Sequence, residues 1–213
     1  MFGPLKTLLF LAVLWLPLSF FVWFYFAELF VTPIAVLAGW VLQTWMPTVF
    51  LDVEQNRHVL DFITSLPVDP SMLVGVDLSQ GRPAVVVEVN PMIYGYCIPV
   101  IVGLVMATPL RGWQRLWQVC AGVAVLLAVQ TFGTVFDVLK SVGLQAGPEG
   151  AKVIADAGIS LDVIAFCYQF GYLVLPAITP VILWVLFNQA FIQLVVTTEG
   201  SDLPDVGTDR TDS

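Results

Sequence analysis

Residues Leu5–Ala27 read LKTLLFLAVLWLPLSFFVWFYFA, and this run decides the class of the fold. After Lys6 it holds no charged side chain until Glu28. A helix that crosses a bilayer needs about 20 mostly apolar residues, and this stretch supplies them. Phe20, Phe21, Trp23, Phe24, Tyr25 and Phe26 crowd its far end, where aromatic rings suit a membrane–water boundary. A cleaved signal peptide would show a shorter apolar core and a small-residue cleavage site. No A-x-A pattern appears here, so the run is expected to remain as an anchor.

Composition extends that reading to the whole chain. The 213 residues are 58% apolar and 11% charged, with a mean hydropathy of +0.89. Soluble domains hold about 25% charged residues. So large an apolar surplus cannot be hidden inside a globule of this size, whose surface still has to be covered. Lipid is the solvent that resolves the conflict. The net charge of −8 and pI near 4.3 exclude a basic surface for nucleic acid. Cys97, Cys120 and Cys167 lie in or beside apolar runs without CxxC spacing, which gives neither a disulfide framework nor a zinc site. No metal and no cofactor is expected.

Outward from the first run, Leu29–Phe50 is apolar but interrupted by Pro33, Gly39, Gln43 and Pro47, with Trp40 and Trp45 as interfacial anchors. Residues 51–92 change character and carry charge. LDVEQ and VLDFITSL read as two extended runs around the polar turn NRH, and PAVVVEV (Pro83–Val89) is a β-branched strand bounded by GRP and NP. Three further apolar runs follow: Tyr94–Thr108, Trp113–Leu139, and Ile159–Val196 with its Pro176 and Pro180. Residues 140–158 read as a polar connection containing glycine, and the last residues as an acidic tail poor in large apolar side chains.

Basic residues near the spans fix an expected orientation. Lys6 stands at the start of the first run, and Arg111 and Arg115 sit in the tight loop PLRGWQR. Placing all of them on the cytoplasmic side requires a single crossing before the charged insert. The expectation is therefore a mainly α membrane protein with about four transmembrane helices, one interfacial helix and a small extracytoplasmic β insert. Its parts are an anchor (1–28), an interfacial or re-entrant helix (29–50), the β-rich insert (51–92), a three-helix transmembrane bundle (93–197) and a disordered acidic tail (198–213). Both termini fall in the cytoplasm and the insert outside.

Few residues carry recognisable chemistry. An ionisable group inside a span is a functional candidate by default, which singles out Asp137 in VQTFGTVFDVLK. Lys140 stands at i+3 from it, so a simple helical ion pair competes with any functional role. Gln130, one face back, can hydrogen-bond a neighbouring helix. The sole histidine, His58, falls in the NRH turn, where histidines are ordinarily just solvated. Cys97 is the thiol nearest the outer surface, but a cysteine nucleophile needs a base and an orienting group, and its flanks are apolar. The segment EVNPMIYGYCIP is the most distinctive local feature. Asn90 and Pro91 close the strand, Gly95 permits close packing or a tight turn, and Tyr94 and Tyr96 flank it. These residues are expected to bind or pack at a strand-to-membrane junction.

The order of parts from residue 83 resembles the exosortase/archaeosortase family: a β-like run, an apolar helix, the short loop ATPLRGWQR, then a long apolar helix. Those enzymes are multi-spanning membrane cysteine peptidases or transpeptidases that process proteins bearing a C-terminal sorting segment. Their catalytic Cys would fall near Met92, not Cys97. Their Arg would fall at Gly133 or Thr134, and the last helix holds no His. None of those roles carries over. Through LWLPLSFFVWF, EVNPMIYGY and VFDVLK the whole chain resembles the exosortase H-associated membrane proteins. That resemblance implies a bacterial inner-membrane accessory whose partners are the bilayer and an exosortase or the hydrophobic sorting helix of a secreted protein. A membrane cysteine protease or transpeptidase using Cys97 with His58 is the alternative. A transporter or channel subunit is weaker, because no span carries paired charges or broken half-helices about a midplane site.

Overall fold

The computed structural model describes residues 4–68 and 84–201. The first apolar run forms α1 (Pro4–Tyr25), and the chain turns at Phe26 into α2 (Ala27–Trp45). Glu28 lies in the first turn of α2, where a carboxylate complements the helix dipole. A hairpin follows, β1 (Phe50–Asn56) and β2 (Val59–Pro67), joined through Arg57 and His58. Arg57 takes a left-handed φ of 57° to make that turn. β3 (Ala84–Val89) pairs antiparallel with β2, giving a sheet of order β1-β2-β3. The strand expected at Pro83–Val89 and the hairpin around NRH both stand in the structure. Pro83 itself lies outside the described residues, as do Asp69, Asp77 and Arg82.

A single 3-10 turn (Pro91–Ile93) leads into α3 (Cys97–Ala107), then α4 (Gly112–Gln145), α5 (Gly147–Asp156), α6 (Leu161–Gln169), a π-helical turn (Phe170–Val174), α7 (Leu175–Phe187) and α8 (Gln189–Ser201). Three particulars differ from the sequence expectation. The run Trp113–Leu139 does not end near Leu139, because Ser141, Val142 and Gly143 stay buried and hold the helix through Gln145. The polar stretch after it is not a loop; α5 buries Gly150 and Ile154. The last run is interrupted twice, by the π turn and at Asn188. Of the tail, the backbone of 198–201 continues α8, and 202–213 lie outside the described residues.

By length and composition, four helical stretches can cross a membrane: Leu5–Tyr25, Ala27–Trp45, Gly112–Gln145 and Leu161–Phe187. α3 is shorter, at 11 residues, or about 16 Å at 1.5 Å per residue. Side chains such as Phe10, Val13, Phe21 and Phe24 stand exposed along α1, as they do on a helix whose solvent is lipid. The molecule is a mainly α membrane protein carrying a small sheet.

Packing divides the interior into two cores. One joins Val31, Ile34, Ala38 and Leu42 of α2 to Phe50, Leu60, Phe62 and Val87 of the sheet and to Val135, Val138, Leu139 and Val142 of α4. The other joins Trp23 of α1 to Cys97, Ile98, Ile101 and Val105 of α3 and Leu126 of α4, with Leu183 and Trp184 of α7 against it. α4 serves both: its N-terminal half belongs to the helical bundle and its C-terminal half to the sheet-bearing head. At 34 residues it runs about 51 Å, well beyond the ~30 Å hydrocarbon thickness.

The bundle is drawn together by small residues. A methyl group on Gly103 of α3 would press on the Leu16 backbone of α1 at 3.1 Å, and Ser19 Oγ donates to the Pro99 carbonyl at 2.8 Å. Close backbone approach and a hydroxyl bond are the usual means of joining helices where lipid offers no hydrophobic driving force.

Candidate functional site at the strand-to-membrane junction

The junction is built from EVNPMIYGYC upward. Asn90 ends β3 in extended backbone and its side chain accepts from the Met92 amide at 3.0 Å, capping the turn that Pro91 opens. That turn aims Tyr94 inward. Gly95 follows because the chain here touches α1; a Cβ would stand 3.0 Å from Trp23 Cζ2 and 3.2 Å from the Pro91 carbonyl. Tyr96 then caps α3 while half-buried, and Cys97 is its first residue.

Tyr94 is wholly buried and fastened at both ends. Its hydroxyl bonds to Thr134 Oγ1 at 2.8 Å. Its carbonyl accepts from Cys97 Sγ at 3.6 Å, and that sulfur accepts from Gln130 Nε2 at 3.4 Å. Gln130, Gly133, Thr134 and Asp137 recur at helical spacing, so one face of α4 meets the junction. Gly133 lets it approach: a Cβ there would meet Tyr94 at 3.4 Å and the Gly171 carbonyl at 3.3 Å. Gly171 belongs to the π turn, an irregularity that often marks functional positions.

Around Tyr94 the polar groups continue toward the head. Tyr172 meets it edge-on, with ring centroids 6.1 Å apart, and Tyr168 stacks on Tyr172 at 5.5 Å. Lys140 Nζ sits 3.8 Å over the Tyr168 ring and 2.8 Å from Asp137 Oδ1. Asp137 is thus the i,i+3 partner of Lys140, two turns before α4 ends. The structure brings Asn90, Pro91, Tyr94, Gly95, Tyr96, Cys97, Gln130 and Asp137 to one junction. It leaves His58 aside, exposed at the hairpin turn, while Cys97 is 0% exposed. Among the described residues no group of three or more His, Cys, Asp or Glu side chains is placed to hold a metal.

Sequence reasoning missed a second polar cluster at the other end of the bundle. Gln118 and Asn188 form a reciprocal amide pair, with Nε2 to Oδ1 at 3.2 Å and Nδ2 to Oε1 at 3.1 Å. Gln118 also donates to the Phe187 carbonyl, and Asn188 to that of Trp184. Trp184 Nε1 reaches Thr108 Oγ1 at 2.8 Å. The available signal was two amides inside apolar runs, Gln118 and Asn188, which need partners in lipid.

A family model described as exosortase H-associated membrane protein matches residues 3–191, nearly the whole described chain. The protein belongs to that family. No curated protein and no solved structure matches it. Met92, Gly133 and Thr134, the positions singled out by the resemblance to the exosortases, all lie at this junction. Thr134 there is engaged by Tyr94.

Proposed function

We propose that this chain is a non-catalytic accessory of an exosortase-type sorting system in the bacterial inner membrane. In this reading it holds an exosortase, or the hydrophobic sorting helix of a secreted protein, within the bilayer. The observation that carries the reading is the closure of the junction. Tyr94, Thr134, Gln130 and Cys97 are buried and hydrogen-bonded to one another, an arrangement that fixes a scaffold and leaves no free nucleophile beside a base. In-membrane crosslinking followed by co-purification tests it. Recovery of an exosortase or of a sorting tail is the expected result; clean absence of both from the crosslinked membrane overturns it.

The same proposal includes a topology. α1, α3 with its preceding turn, α4 and α7 cross the bilayer. α2 lies at the outer interface, the sheet with α5 is periplasmic, and both termini are cytoplasmic. The packing of α2 supports this, since its fully buried apolar residues serve the head core with the sheet, and only Phe30 packs, partly buried, against the core shared by α1, α3 and α7. The competing enzymatic reading requires Cys97 to react from the outer side. An impermeant alkylator that labels Cys97 in the folded protein, together with lost sorting in Cys97→Ser, would favour that reading instead.

A further inference from the structure

At the end of the bundle remote from the sheet, α4 begins and the α7–α8 elbow bends. An open cleft of about 450 Å³ lies between them. Its walls are aromatic: Trp113 and Trp117 from α4, Phe187 and Phe191 from the elbow, with Trp117 and Phe187 edge to face at 5.4 Å. Its floor is polar, because the reciprocal amide pair of Gln118 and Asn188 lines it. An apolar cleft with a few fixed polar groups is the ordinary form of a small-ligand site.

Charge narrows the ligand. Beside the cleft rather than in its lining stand two arginines: Arg111, exposed just before α4, whose amide donates to Gln114 Oε1 of the cleft wall at 3.4 Å, and Arg115 one turn later. Arg115 Nη2 donates to the Thr108 carbonyl at 3.4 Å, yet its buried Nε has no hydrogen-bond partner among the described residues. A guanidinium is built to meet two oxygens of a phosphate or carboxylate, and among the described residues neither arginine is ion-paired with a carboxylate. Residues 103–136 and 163–198 contain no Asp or Glu, the first acids beyond them being Glu88, Asp137, Asp162 and, in α8, Glu199. Trp113 and Trp117 are exposed as well, and indole rings favour the headgroup level of a bilayer.

We propose that this cleft binds an anionic phospholipid, with the phosphate at Arg111 and Arg115 and the glycerol and upper acyl chains between the aromatic walls. The partner is a lipid headgroup rather than free phosphate, because walls of this kind have use only for a ligand with an apolar body. Binding of this lipid fastens the α7–α8 elbow to the start of α4. It does not depend on which protein the molecule serves.

Native mass spectrometry of the full chain, released from nanodiscs of mixed phosphatidylglycerol and phosphatidylcholine, tests the site. The expected result is retention of phosphatidylglycerol over phosphatidylcholine, with retention falling roughly fivefold for each of Arg111→Gln and Arg115→Gln. A Trp117→Ala variant, which keeps both charges, should lose bound lipid of either class. Equal retention of the two lipids overturns the proposal, as does selectivity unchanged in the double arginine variant. So does displacement of the bound lipid by millimolar inorganic phosphate, which would mark a simple anion site. A melting curve recorded on each variant identifies any that has failed to fold, and the single arginine variants then decide the question.

Discussion

Tyr94 shows how much of the junction hangs on single atoms. Its hydroxyl and Thr134 Oγ1 satisfy each other inside the protein, so removing one strands the other. Thr134→Val should lower stability by about 1–3 kcal/mol, the cost of a buried polar group left without a partner. Tyr94→Phe combined with Thr134→Val should lose less than the two single variants summed, since no orphan remains. Thermal unfolding of the four proteins in one detergent checks both statements. Gly95 carries a separate expectation. A methyl group there is forced toward Trp23 and the Pro91 carbonyl, and Gly95→Ala should cost about 1–3 kcal/mol as overpacking. A neutral Gly95→Ala would show that α1 can shift away from the junction.

At this scale the sequence was informative where chemistry is local. The i,i+3 spacing of Asp137 and Lys140 foretold the ion pair, and the NP dipeptide foretold the strand end. What it could not reveal was pairing across elements. Nothing in the spacing of Tyr94 and Thr134, 40 residues apart, says that they meet, and nothing marks Gln118 and Asn188, 70 residues apart, as mutual partners. Such contacts follow from the crossing of helices, which depends on Gly133 facing Gly171 and is not a local property.

Among the elements, the sheet carries an unusual row. The register places Glu54 opposite Asp61 and Asp61 opposite Glu88, so three carboxylates stand side by side across the strands, on the face turned away from the core. Like charges directly opposite one another destabilise a sheet. Asp61→Asn should therefore raise stability by roughly 0.2–1 kcal/mol, and the gain should shrink as salt is added. Denaturation at two ionic strengths measures it, and a loss of stability in Asp61→Asn would contradict the repulsion. The hairpin was legible from LDVEQ and VLDFITSL standing as two extended runs around the polar turn NRH. α4 was legible as a helix but not in length, because its last turns are held by contacts with the head and not by their own hydropathy. The π turn had no signal in the sequence beyond Gly171.

α2 is the element on which topology turns. Its apolar residues satisfy a length test for a span, while its buried stripe, Val31, Ile34, Ala38 and Leu42, faces the sheet and the far half of α4. Leu42→Ala should cost about 2–5 kcal/mol as a buried cavity. Its effect should be loosening of the head, read as faster amide exchange in the hairpin than in α3. Equal acceleration in both would show that the two cores are not separable.

For the whole molecule, α4 links a helical bundle to a head made of α2, the sheet and α5, and the family match covers both parts. The membrane class and the family were readable from the chain, because a surplus of apolar side chains and a strand-to-membrane junction are written in runs of neighbours. The division into two cores was not, because α2 has the composition of a membrane span and yet packs on the sheet. The most direct test is thiol labelling in intact and permeabilised cells, with Cys120 and Cys167 replaced by Ser and the sealed Cys97 kept. Single cysteines are then introduced at Lys6 and at His58. With α2 at the interface, an impermeant maleimide labels His58→Cys in intact cells and Lys6→Cys only after permeabilisation. Labelling of both positions from the same side would mean that α2 crosses the bilayer and that the head shares a compartment with the N-terminus, contradicting the interfacial placement of α2.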